Sequence, residues 1–107
     1  MSRELDAEVV SLSATVSYQR GAVVSRTLIK KPSGSVTAFA FDAGEGLSEH
    51  TASFEALVLV IEGEADISVS GTPHRLGAGD LLRLPAQKPH AVQALSPFKM
   101  LLFMLKD

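Results

Sequence analysis

The segment Gly44-Glu45-Gly46-Leu47-Ser48-Glu49-His50-Thr51-Ala52-Ser53-Phe54-Glu55-Ala56-Leu57-Val58-Leu59-Val60-Ile61-Glu62-Gly63 decides how this chain is read. It opens in a glycine-rich turn, runs through polar residues to a histidine, and ends in an apolar run too short for an ordinary helix. Beyond Gly63, the residues Ala65, Ile67 and Val69 alternate with Asp66 and Ser68, which is the period of a half-buried strand. This spacing predicts a tight hairpin at Glu62-Gly63, with Gly63 supplying a positive φ.

The same signals continue on either side. Short runs rich in Val, Ile, Leu, Phe or Thr predict strands at 15–18, 22–29, 36–41, 57–61, 65–69, 80–84, 91–95 and 99–105. Glycine and proline clusters separate them, including 32–34, 71–73, 77–79 and 85–89. Only residues 3–12 could form a short amphipathic helix. Strands at such even spacing predict an all-β fold, a small antiparallel barrel or sandwich. Residues 99–105 are almost wholly apolar after Lys99, so both faces of that strand should be covered, by a closed sheet and by a dimer interface.

Composition narrows the chemistry. The chain has 107 residues, 46% of them hydrophobic, which suits one domain over 1–107 with a core of its own. It has no cysteine, which excludes disulfide scaffolds, cysteine-based zinc modules and thiol catalysis. Ten Lys and Arg against twelve Asp and Glu leave no basic excess for a phosphate backbone, so nucleic acid is not an expected partner. The longest apolar runs, 56–61 and 100–105, fall far short of the roughly 20 residues that span a bilayer. Residues 1–9 alternate charged and apolar side chains and do not resemble a signal peptide. The expected location is the cytoplasm, with no membrane partner.

Three histidines remain to be placed. His74 lies between Gly71-Thr72-Pro73 and Arg75, where a solvated turn residue is expected. His50 and His90 each precede or enter an apolar strand from a glycine- or proline-rich segment. Taken singly, each is as readily a hydrogen-bonded histidine at a strand entry as a functional group.

Taken together, their spacing resembles the cupin superfamily of small jelly-roll barrels, in particular the small single-domain, RmlC-like cupins of the cupin 2 conserved-barrel type. The first cupin motif places a glycine, five residues, His-x-His, three or four residues, Glu, six residues and a glycine. Here Gly44, His50 and Gly63 match, while Ala52 and Ala56 stand where a histidine and the glutamate belong. The second motif, glycine, five residues, Pro-x-Gly, two residues, His, three residues, Asn, reads here as Gly79, Pro85, Gln87, His90 and Ala94. The motifs span 44–94. In metal-bearing cupins three histidines and a glutamate converge on iron, manganese, nickel or zinc. By position, this chain retains His50 and His90 alone, so the resemblance implies either no metal or a weakly held divalent ion.

Glu55 could restore a carboxylate if a bulge between Ala52 and Glu55 turned it inward; on a regular strand it points away from His50. Gln87 stands at the motif's glycine, so it either tolerates a left-handed backbone or forms a different turn. A small barrel can be filled by its own side chains. With Ala52 and Ala56 in place of ligands and Phe41 and Met100 as apolar walls, the residues favour an amphiphilic pocket around His50 and His90, with Gln87 at its edge. Three functions compete: a small-molecule binder with little or no metal, a dioxygenase- or isomerase-like metalloenzyme using His50, His90 and Glu55, and a purely structural barrel. A homodimer is expected, since small cupins commonly pair through sheet edges.

Overall fold

The computed structural model describes residues 4–106, and among these nine strands form two layers. They are β1 (Val23–Lys31), β2 (Gly34–Phe41), β3 (Gly46–His50), β4 (Glu55–Glu62), β5 (Ala65–Val69), β6 (Thr72–Leu76), β7 (Leu81–Leu84), β8 (His90–Ala94) and β9 (Phe98–Leu105). One sheet has the order β1-β2-β9-β4-β7 and the other β3-β8-β5-β6, with antiparallel pairing throughout. Inward residues of both sheets share one core, and the result is an all-β jelly-roll barrel.

Alternation explains which residues enter that core. On β4, Ala56, Val58 and Val60 are buried, with Leu57, Leu59 and Ile61 on the other side. Phe41 of β2 lies against Phe98 of β9, ring centroids 4.6 Å apart and planes 12° apart, with Phe39 stacked on Phe41 at 5.9 Å. Phe41, Phe98 and Met100 are fully buried, so the middle of the barrel is filled by side chains.

Strand β9 sits between β2 and β4, so both its edges are paired within the chain. Its second face is covered as well. Leu101 joins Val16, Leu28, Ala38 and Ala40 in a smaller apolar cluster on the outside of the sheet. The amino-terminal arm is tied there by polar contacts. Lys99 Nζ donates to the Ser13 carbonyl at 2.6 Å and lies 4.8 Å over the Tyr18 ring, and the Tyr18 hydroxyl donates to Glu62 at 2.6 Å. Burial, then the Glu62 hydrogen bond and charge, push the Tyr18 hydroxyl well above its ordinary pKa.

The arm departs from expectation. Arg3 lies outside the described residues, but residues 4–11 hold no α-helix, and one 3-10 turn, Leu12–Ala14, follows. The reason is edge pairing: Leu5 N–H donates to the Leu28 carbonyl, and Lys30 N–H donates to the Glu4 carboxylate, which draws the arm out along β1. Residues 15–18 are not a strand either: Thr15 and Val16 are buried, Val16 in the apolar cluster on the outer face of the larger sheet.

The turns are redistributed too. Gly63 has φ 80°, as expected, but β4 and β5 belong to different sheets, so it makes a crossover and not a hairpin. A Cβ there would strike the Pro97 carbonyl and Phe98, which adds a second reason for glycine. The tight hairpin lies at Ser70-Gly71, where φ values of 50° and 81° and the Val69–Thr72 pairing match a two-residue primed turn. It leads into β6, an edge strand that tolerates Pro73. His74 is therefore a half-buried strand residue with Nδ1 3.2 Å from the Ile67 carbonyl, not a solvated turn. No helix among the described residues is long and apolar enough to cross a membrane.

Candidate functional site

His50 closes β3 and His90 opens β8, and the two are paired across the β3–β8 ladder. Their shared orientation depends on an irregularity. Leu47 pairs with Val92 and His50 with His90, so three steps on β3 match two on β8. Leu47 packs on the core, and without the extra residue at Ser48-Glu49 the alternation would turn His50 to the opposite face. A bulge does reset the parity of this segment, but it lies before His50 and not between Ala52 and Glu55.

The rings meet edge to face, with centroids 4.4 Å apart and planes at 70°. Their Nε2 atoms are 3.1 Å apart. Each Nδ1 faces the carbonyl two residues earlier, Ser48 at 2.8 Å for His50 and Lys88 at 3.3 Å for His90. A carbonyl only accepts, so each Nδ1 calls for a proton, and the Nε2–Nε2 contact calls for a third. Two neutral imidazoles carry two. Assigning the proton to the shorter bond, His50 Nδ1–H donates to Ser48 and His90 Nε2–H donates to His50 Nε2, which leaves His90 Nδ1 without a proton opposite Lys88. A third proton would complete the network, but burial, followed by the charge of His50, lowers the His90 pKa.

Two loops form the rim, residues 51–54 after β3 and 85–89 before β8. Gln87 does adopt the left-handed backbone, φ 67°, and its N–H donates to the Ala52 carbonyl at 2.8 Å, fastening one loop to the other. Ala52 is half-buried there, while Ala56 is buried in β4 between Leu84 and Met104. Phe41 and Met100 lie in the filled core as described.

Glu55 is not brought to the imidazoles. Arg83 holds one carboxylate oxygen at 2.6 Å and the Ala86 N–H donates to the other at 2.8 Å. The Ala86 N–H, then the Arg83 hydrogen bond, hold its carboxyl below the usual range, so it is an outward-facing anion. Residues 51–54 are a loop and not a bulged strand, so the expected bulge between Ala52 and Glu55 is not there to turn the carboxylate in.

Among the described residues, His50 and His90 are the side chains this site could offer a catalytic metal centre, and Glu55 is not brought to them. An Nε2 separation of 3.1 Å suits two cis imidazoles on an ion with bonds of about 2.1 Å, but such centres take three protein ligands. Among the described residues no three His, Asp or Glu side chains cluster as a metal-binding set. Sequence reasoning missed the Ser48 and Lys88 carbonyls and the Arg83–Glu55 clamp. The carbonyls have no sequence signal, since every residue carries one; Arg83, a charge in an otherwise apolar strand, was a usable one.

Comparison with known proteins agrees with this architecture. Residues 38–104 match the family model described as Cupin domain. The fold is similar to a conserved Streptococcus pyogenes protein of unknown function, with 30% identity over 96% of this chain and 90% of that one, and a TM-score of 0.91. A cupin superfamily protein from Desulfitobacterium hafniense aligns at 29% identity over 96% and 94%, with a TM-score of 0.90. A cupin 2 conserved barrel domain protein from Leptotrichia buccalis is 42% identical over 89% of this chain but only 46% of its own length, with a TM-score of 0.86. No curated protein sequence matches.

Proposed function

The chain belongs to the cupin domain family, and from that premise we propose that it binds a small amphiphilic molecule at the barrel mouth, with His50 and His90 holding the polar end. The observation that carries this reading is the imidazole pair, whose three contacts are one proton short. Burial opposes a bare charge on His90. A weak acid, such as a carboxylic acid or phenol, brings the proton together with its counter-anion, so the pair is completed without isolating a charge. Ala52 and Gln87 lie on the two rim loops, where an apolar body would rest, and Ala56, Phe41 and Met100 belong to the packed core.

The test is a thermal-shift screen of short alkyl carboxylic acids, alcohols and phenols. Stabilisation by an acid or phenol that disappears in His50→Ala and in Ala52→Leu, with both variants folded, is the expected result. Failure of every compound to shift the wild-type protein would end the proposal.

A second reading, a divalent-metal enzyme, is favoured only by the imidazole separation. Elemental analysis after incubation with iron, manganese, nickel and zinc decides it. Near-stoichiometric metal that His50→Ala abolishes would support it, and substoichiometric metal for every ion would exclude it. We also propose a homodimer, because Val9, Val10, Leu12 and Ile29 leave apolar surface exposed along the arm and β1. A monomer by sedimentation equilibrium at micromolar concentration would count against it. The cytoplasmic assignment rests on sequence and is part of the same proposal.

A further inference from the structure

The sheet β3-β8-β5-β6 has an outer face that the imidazoles do not use. Leu47, Ile67 and Val92 pack into the core, so their neighbours Gly46, Ser48, Asp66, Ser68, Ala91 and Gln93 face outward, where they line a groove of about 420 Å³. Register places Gly46, Gln93 and Asp66 in one row across three strands, with Ala91 beside Ser68 in the next. Gly46 and Ala91 contribute almost no side chain, so the floor drops between polar walls. The dip at Gly46 is built in, because a Cβ there would collide with the Val92 carbonyl.

The walls are rich in acceptors. The Gln93 side-chain N–H₂ donates to the Gly44 carbonyl at 3.0 Å, leaving its Oε1 for other partners. Ser48 and Ser68 add hydroxyl oxygens. Asp66 Oδ1 is shielded from solvent and has no hydrogen-bond partner. The nearest guanidinium in register does not answer it: Arg75, opposite Asp66 on β6, is turned to Glu64 at 3.2 Å. A shielded carboxylate oxygen without a donor is a standing cost, relieved when a donor enters the groove and the carboxylate turns to meet it.

We propose that this groove binds a small organic cation, with a guanidinium or ammonium group on the Asp66 carboxylate and its remaining N–H bonds on the Ser48, Ser68 and Gln93 oxygens. One carboxylate is a poor set for a hard divalent ion, which takes six or more oxygens when it is calcium. The lining has no aromatic ring on which a sugar could stack. Charge-assisted donors fit what is there.

Agmatine, which carries a guanidinium at one end and an ammonium at the other, is the probe. Titrated into ¹⁵N-labelled protein at constant ionic strength, it should give saturable shifts at the Ser48, Ser68 and Gln93 amides. Asp66→Asn, which keeps the shape and removes the charge, should weaken binding at least tenfold. Ala91→Leu, an outward substitution that fills the floor, should abolish it while the His50 and His90 resonances stay in place. The proposal is overturned if no saturable shift appears by tens of millimolar agmatine, if sodium chloride reproduces the shifts, or if Asp66→Asn binds as tightly as the wild type.

Discussion

His50 and His90 point their Nε2 atoms at each other across 3.1 Å, each with its Nδ1 turned to a carbonyl two residues upstream. Because burial, then the charge of His50, holds the His90 pKa below its ordinary value of 6.5, the unfolded chain binds the proton more readily than the folded one. Stability is then fully present above the unfolded value and declines as pH falls through the folded value. Urea midpoints should drop as pH falls below about 6.5, and His90→Gln should flatten that part of the profile. An unchanged slope in the variant would mean that other groups cause the acid loss.

Gln87 bears a left-handed backbone at φ 67° that costs an L residue about 1–2 kcal/mol. Gln87→Gly removes that strain, keeps the N–H that bonds Ala52, and adds some unfolded-state entropy. A net gain of about 0.5–1 kcal/mol is expected, seen as a melting temperature a few degrees higher. A lower melting temperature would show that the glutamine side chain makes a compensating contact.

The stack of Phe41 on Phe98 should dominate stability. Phe41→Ala empties a fully buried site against Phe98 and should cost about 3–5 kcal/mol, a large share of the roughly 5–15 kcal/mol typical of such a domain. The half-buried Phe39 should cost less when truncated. Denaturant midpoints of the two variants would compare them, and equal losses would contradict the packing described.

Tyr18 is the only tyrosine, and the chain has no tryptophan, so absorbance near the tyrosinate band reports on one hydroxyl. Its midpoint in the folded protein should lie above the usual value of about 10. Glu62→Gln removes the adjacent negative charge and should move the midpoint back down. A midpoint unaffected by that change would assign the shift to burial alone.

The sequence disclosed most of the barrel because its strands obey a simple alternation. Residues 65–69 are the same strand in both readings, and β9 is buried on both faces from Phe98 to Leu101, while Leu105 stays exposed. The elements that escaped are those where alternation gives way. β3 is short, polar and bulged at Ser48-Glu49, and β6 contains a proline permitted only by its edge position. The same limit applies at the site. Motif spacing found His50 and His90 and pointed to the backbone at Gln87. The fate of Glu55 depended on Arg83 and the Ala86 N–H, partners about 30 residues away; Arg83 stands out as a charge among leucines, but its meeting with Glu55 is set by the β4–β7 register. Phe41 and Met100, expected as pocket walls, are buried in the packed core, which alternation alone does not reveal.

The central place of β9 also bears on how the chain is made. β2 and β4 do not touch each other's edges; each is completed only by Phe98–Leu105. As the polypeptide leaves the ribosome, the hairpin of β1 and β2 and the pair β4–β7 emerge with unpaired edges exposed, awaiting a strand translated only after β8. The window between synthesis of β4 and arrival of β9 is the interval in which the nascent chain is most open to aggregation, and the one a chaperone would have to cover.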